Sequence, residues 1–151
     1  MVSWMDKKIV GARTVALNSD AQHLSMTKAD QKVLLGYNTC GGLGCGGFPE
    51  KGIKAAEESV HEIEHSISDA DLVFATISLG GGTGTGSAPV ICEIAKKMNI
   101  LTIAIVTLPF SMEGRQRMQN ALEGLENLRK VVDTIIIIPN NKLLEIVPDV
   151  S

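Results

Sequence analysis

A chain of 151 residues, 44% of them hydrophobic, is long enough for one globular domain with its own core. Its net charge of −3 is spread over short acidic and basic clusters, which argues against a nucleic-acid track, and no apolar run reaches membrane-spanning length. The start MVSWMDKK lacks the apolar stretch of a signal peptide, and Cys40, Cys45 and Cys92 lack the CxxC spacing of a structural zinc site, so a soluble intracellular protein with reduced thiols is expected.

In chain order, TVALN from Thr14 reads as a strand, and NSDAQ at its end places Asp20 to cap a short helix or to contact a ligand. KVLL from Lys32 reads as a second strand. A glycine-rich loop, CGGLGCGGFP from Cys40 to Pro49, then leads into a helix on which Ile53, Ala56, Val60, Ile63 and Ile67 recur at three-and-four spacing, with Pro49 suited to its first turn. LVFATI from Leu72 is a strand, followed by GGGTGTG and a helix over Ala88 to Met98. LTIAIVT from Leu101 is the next strand. Pro109 and Phe110 turn the chain, Glu113 precedes a helix carrying Arg115 and Arg117, and Met118, Ala121, Leu122, Leu125 and Leu128 mark that helix's apolar face. The strand TIIII from Thr134 ends at Asn140 and Asn141. Strands apolar on both faces, alternating with helices, predict an α/β fold with a parallel sheet between two helix layers, a three-layer sandwich.

The segment Gly80 to Gly86, with five glycines and two threonines, follows a strand and enters a helix, the arrangement of a phosphate cradle. Glycines let the backbone approach an oxyanion, the free N–H groups of the helix start point at it, and Thr83 and Thr85 add hydroxyl donors. No lysine follows as in a Walker loop. Gly42, Gly44 and Gly47 spell a literal GxGxxG, a weak signal alone. Neither the position of this loop nor the strand ending at Thr107 suits a dinucleotide fold, which disfavours NAD. By composition, this second loop reads as a ligand contact or a plain surface loop. Glu113 serves the helix dipole or a ligand, and Asn140 and Asn141 read a base edge or make an Asx turn. His61 and His65, four apart among Glu58, Glu62 and Glu64, read as a solvated face rather than a metal site.

Taken together, NSDAQ, GLGCGGFPEKG, AAEES, DADLVF, GGGTGTGSAPV, TLPFSMEGR and PNNKLLEIVP resemble the FtsZ family, and more closely its archaeal members, nearly end to end. The resemblance implies a tubulin/FtsZ GTPase-type fold (Rossmann-like) that binds GTP or GDP, polymerises head to tail and forms the ring that drives division, in the cytoplasm at the division site, with other ring proteins as partners and no direct membrane insertion. Gly80, Gly81, Gly82, Thr83, Gly84, Thr85 and Gly86 then look like the main phosphate loop, with Gly44, Cys45, Gly46 and Gly47 near the phosphates. Pro109 joins the nucleotide-binding residues, Glu113 and Arg117 resemble ribose and nucleotide contacts, and Asn140 resembles the residue that reads guanine. Magnesium accompanies the triphosphate without a dedicated protein cage. No catalytic residue and no protein metal ligand is assigned.

Departures from the family carry expectations of their own. Its members open with a strand and a glycine-rich loop, and by the resemblance this chain enters the helix that follows partway, at Val2 to Ile9. The chain stops at PDVS, before a long helix with further guanine contacts and before the acidic loop that acts on GTP held by the neighbouring subunit. The expectation is a truncated or proteolysed partial GTP-binding domain over residues 1–151, without a C-terminal domain, and with weak or absent GTP affinity and no hydrolysis of its own. In a sheet of order 3-2-1-4-5-6 the missing strand leaves TVALN and LVFATI to close up, to pair with another copy, or to stay exposed, so self-association or a repacked sheet is expected. The alternative function is an interaction module that caps full-length filaments without nucleotide.

Overall fold

A computed structural model describes residues 12–139; the helix expected over 2–9, and Asn140 and Asn141, lie outside that range. Strand and helix alternate as β1 (Val15–Asn18), α1 (Ala21–Met26), β2 (Gln31–Leu34), α2 (Tyr37–Cys40), α3 (Pro49–Glu58), α4 (Val60–Ile67), β3 (Leu72–Ser78), α5 (Thr83–Lys97), β4 (Leu101–Leu108), a 3-10 turn (Ser111–Glu113), α6 (Arg115–Arg129) and β5 (Thr134–Pro139). Every strand pair is parallel, because a helix carries the chain back each time: Val15 lies opposite Gln31, Leu72 opposite Leu101, and Ile103 opposite Thr134.

The parallel α/β architecture is as read from the sequence, but the strands form two sheets, β1-β2 and β3-β4-β5. Among the described residues β1 and β3 do not pair, so of the three outcomes held open closing-up does not occur and both remain edges. The α5 helix holds the halves together. Its Ile94 and Ala95 join a core with Val33, Leu35, Ala55, Ala56, Ile63 and Ile67, while its Ala88 and Cys92 join a second with Ile77, Ala104, Val106, Ala121, Leu125 and Leu128.

Period-two alternation sends Ala75, Ile77, Ala104, Val106 and Ile135 toward α5 and α6. The opposite face carries Phe74, Leu101 and Ile136, which are 54%, 51% and 47% exposed, so the second covering layer expected there is not supplied by the described residues.

The helix expected across Ile53 to Ile67 breaks at Ser59 (φ −106°, ψ 21°) into α3 and α4. Buried Ser59 accepts the Gly36 N–H at 2.9 Å, an anchor that turns the chain out of the helical path. Gly52, Ala55 and Ala56 form the buried face of α3, while Ile53 is 37% exposed. A glycine sits at this contact because α3 crosses α5 almost backbone to backbone. A Cβ on Gly52 would lie 2.3 Å from the Gly82 carbonyl oxygen, and one on Gly86 2.1 Å from the Pro49 carbonyl oxygen.

Candidate functional site

The helix α5 begins at Thr83, inside the glycine-rich segment, with Gly82 at its N-cap and no side chain capping it. Its first turn therefore presents backbone N–H groups that have no carbonyl one turn earlier to bond. Gly80 bends at φ +120°, beside Pro109 and the Arg117 backbone oxygen. Thr85 is buried, and its hydroxyl accepts the Gly80 N–H at 2.8 Å, so it shapes the loop from within. The Thr83 hydroxyl meets that of Ser19 at 2.6 Å. Gly84 and Gly86 serve packing: a Cβ on Gly84 would stand 2.7 Å from the Ser78 carbonyl oxygen.

The second loop is docked on the end of β1. The Gly44 N–H donates to the Ser19 carbonyl at 3.2 Å and Ala21 N–H to that of Gly42 at 2.9 Å. Asp20 caps α1 by accepting the His23 N–H at 3.1 Å, the capping role open to it from sequence, and its carboxylate also faces Gly44. Gly44, Gly46 and Gly47 sit at φ +85°, +61° and +80°, a run that side chains with a Cβ adopt only under strain.

The two loops touch. A Cβ on Gly82 would lie 2.8 Å from both the Cys45 Cβ and the Phe48 nitrogen. Buried Asn120 of α6 closes the junction: its amide donates to the Gly47 carbonyl at 3.4 Å and the Gly80 carbonyl at 3.3 Å, while its oxygen accepts from Gln116 at 3.0 Å. Fully buried Ser19, the residue after β1, performs the same joining, contacting the Cys45 thiol at 3.3 Å and Thr83. Sequence reading missed Asn120, Ser19 and Gly52. Only Gly52 left a trace, as a glycine within an otherwise good helix.

Beyond Gly80, the Glu113 carboxylate accepts the Phe110 N–H and pairs with the Arg117 guanidinium at 3.1 Å. Arg117 Nη1 stands 4.0 Å from the Cβ position of Gly81, and nothing stands within 4 Å of that of Gly47. The open backbone of Gly47 and Gly81 thus flanks a surface with one guanidinium at its rim and a helix N-terminus at its floor, a fit for a phosphate chain. The structure brings together Gly44, Cys45, Gly46, Gly47, Gly80 to Gly86, Pro109, Glu113 and Arg117. Among the described residues no three His, Cys, Asp or Glu side chains converge as metal ligands. Two concavities, along the outer side of α6 at Met118 and Leu122 and beside β5, lie away from both loops. Neither gathers loop N–H groups, and the loops are the better-founded site.

Residues 4–148 match the family model described as Tubulin/FtsZ family, GTPase domain. The chain is 60% identical over 141 residues to cell division protein FtsZ 1 of Methanocaldococcus jannaschii, a match covering 93% of this chain and 39% of that relative. It is 55% identical over 141 residues to FtsZ of Methanothermobacter thermautotrophicus, across 93% of this chain and 37% of the relative. It therefore spans about two-fifths of the length of the curated relatives it matches. Among solved structures, the empty FtsZ dimer of M. jannaschii superposes with a TM-score of 0.92 at 58% identity, over 97% of this chain and 43% of that one. The GDP-bound monomer of CetZ1 from Haloferax volcanii gives 0.78 at 32% identity, over 83% and 41%.

Proposed function

The chain belongs to the tubulin/FtsZ family as a GTPase domain of archaeal FtsZ type, and from that premise we propose that it supplies the phosphate-binding face of a GTP/GDP site in a filament-forming cell-division protein. The observation that carries the proposal is the junction of two glycine loops at the start of α5, tied by Asn120 and by the Ser19–Thr83 contact. Its support from relatives is that CetZ1 holds GDP and that the M. jannaschii protein forms a dimer. Gly80 to Thr85 and Gly44 to Gly47 would bind phosphates, and Pro109, Glu113 and Arg117 would border the sugar. Asn140 is proposed for guanine. Magnesium bound with the triphosphate would neutralise phosphate charge, its ligands being phosphates and water.

Hydrolysis is proposed for the assembled filament, with acids from a neighbouring subunit completing the site of this one. Head-to-tail self-association, contacts with division-ring proteins and a place in the cytoplasm at the division site belong to the same reading. Among the described residues no helix is long and apolar enough to cross a membrane.

The test is equilibrium binding of a fluorescent GTP analogue to this chain, and to the chain grafted into the full length of M. jannaschii FtsZ 1. ATP and NAD serve as competitors. The grafted protein is expected to bind and to be competed only by GTP and GDP, while the isolated 151 residues bind weakly or not at all. Equal competition by ATP or NAD would overturn the reading. A grafted protein that joins filaments yet binds no nucleotide would favour a filament-capping module.

A further inference from the structure

Cys40 ends α2 and Cys45 lies in the second glycine loop, and their sulfurs are 3.5 Å apart with both residues buried. Bond formation requires the sulfurs to close to about 2.05 Å. The four residues between them include Gly41, Gly42 and Gly44, all at positive φ, so this segment is hinged by glycine. No atom lies within 4 Å of the Cβ position of Gly41, which leaves the hinge room to move. Cys45 also ends a chain of contacts that runs through the Ser19 hydroxyl to Thr83 at the start of α5, and its Cβ packs on Gly82.

We propose that Cys40 and Cys45 form a reversible disulfide whose closure draws Cys45 away from Ser19 and Gly82 and so reshapes the phosphate loops. The bond itself stands on the thiol geometry alone; its effect on nucleotide rests on the GTP-site reading. The oxidant is a low-molecular-weight disulfide. When the glycine-hinged loop opens, Cys45 loses its proton to solvent, attacks one sulfur of that disulfide and expels a small thiolate. Cys40 then loses its proton to solvent and attacks the Cys45 sulfur, expelling the second small thiolate. The protein loses two hydrogens and two electrons pass to the small disulfide, which leaves as two thiols.

The second step is the slow one. In the reduced pair burial pushes the Cys40 thiol up to about 11, with the hydrogen bond and charge of Cys45 adding to the rise, Lys51 on α3 opposing it and Glu58 on α3 raising it further; once Cys45 carries the small thiol, the Cys45 contributions are gone and burial remains the main cause. Closure therefore accelerates as pH rises, because the attacking species is the thiolate. Cys92, in the second core, which holds no other cysteine, and pushed up to about 12 by burial, is the internal control expected to stay reduced.

The experiment treats the chain with oxidised glutathione, blocks remaining thiols and maps tryptic peptides. Cleavage after Lys32 and Lys51 places both cysteines in one peptide. The expected product is that peptide lighter by two hydrogens, with Cys92 still free, and with full reversal by a reducing thiol. Free thiols at both positions, or separate glutathione adducts on each, would overturn the proposal. In the grafted protein, closure of the disulfide is expected to weaken GTP binding about tenfold or more, close to 1.4 kcal/mol, and Cys40→Ala to leave binding in the reduced state unchanged while losing the two-hydrogen mass change, with a glutathione adduct held on Cys45 in its place. A disulfide that closes while GTP affinity stays constant would refute the coupling. Failure of the reduced protein to bind GTP would instead strike the nucleotide reading, and the peptide mass would still decide the bond.

Discussion

Glu58 sits at the end of α3, yet its carboxylate accepts the Asn38 N–H at 2.9 Å, the Thr39 hydroxyl at 2.7 Å and the Thr39 N–H at 2.9 Å. These bonds satisfy the free start of the short α2 helix that carries Cys40, and they lower the carboxyl below its ordinary 4.5, the Asn38 N–H most of all and then the Thr39 hydroxyl. A depressed carboxyl stabilises the fold above its unfolded pKa, and the gain is lost as pH falls through the folded value. Glu58→Gln is therefore expected to lower the urea midpoint near neutrality, with the gap between the two proteins narrowing as pH falls below the ordinary carboxyl range of about 4.3; a gap that stays constant as the pH is lowered would contradict this. Nothing in the sequence announced the role, since Glu58 lies 20 residues from Asn38 and reads as one more solvated helix acid. Asn120 was hidden for a similar reason. Its two carbonyl partners come from loops 73 and 40 residues away, and only the fold brings them to one amide.

Elements were more legible than their contacts. Aliphatic runs located β3, β4 and β5 closely, because a buried parallel strand must be apolar, whereas α5, expected from Ala88, already begins at Thr83 within the glycine-rich segment. The break between α3 and α4 was invisible, because three-and-four spacing continues through Ser59 and the cause is a bond to distant Gly36. The crossing of α3 over α5 has the same character. Gly52→Ala would place a methyl 2.3 Å from the Gly82 oxygen, where backbone has to move. The expected cost is about 1–3 kcal/mol, read as a lower urea midpoint, whereas exposed Lys54→Ala on the same helix leaves it unchanged. An unaltered midpoint for Gly52→Ala would refute the close crossing.

For the whole molecule, motif order carried the family and the parallel fold, because chemistry at strand ends fixes local sequence tightly. The division into two sheets was foreseen only as one of several outcomes. Hydrophobic pattern specifies that a strand is covered, not by which segment, so β1 and β3 as open edges and Phe74 as an exposed residue emerged from the structure. Joining the halves falls to α5, and its N-terminus is where the glycine loops meet. The central claim is that this meeting forms one phosphate cradle. It is tested most directly by calorimetric titration of GTP into the grafted protein with Gly82 or with Gly82→Ala, circular dichroism verifying the fold of each. A methyl at Gly82 would stand 2.8 Å from Cys45 Cβ and push the loops apart. The account predicts binding by the Gly82 protein and at least about a tenfold loss, near 1.4 kcal/mol, in the variant. Equal affinity in two folded proteins would contradict it.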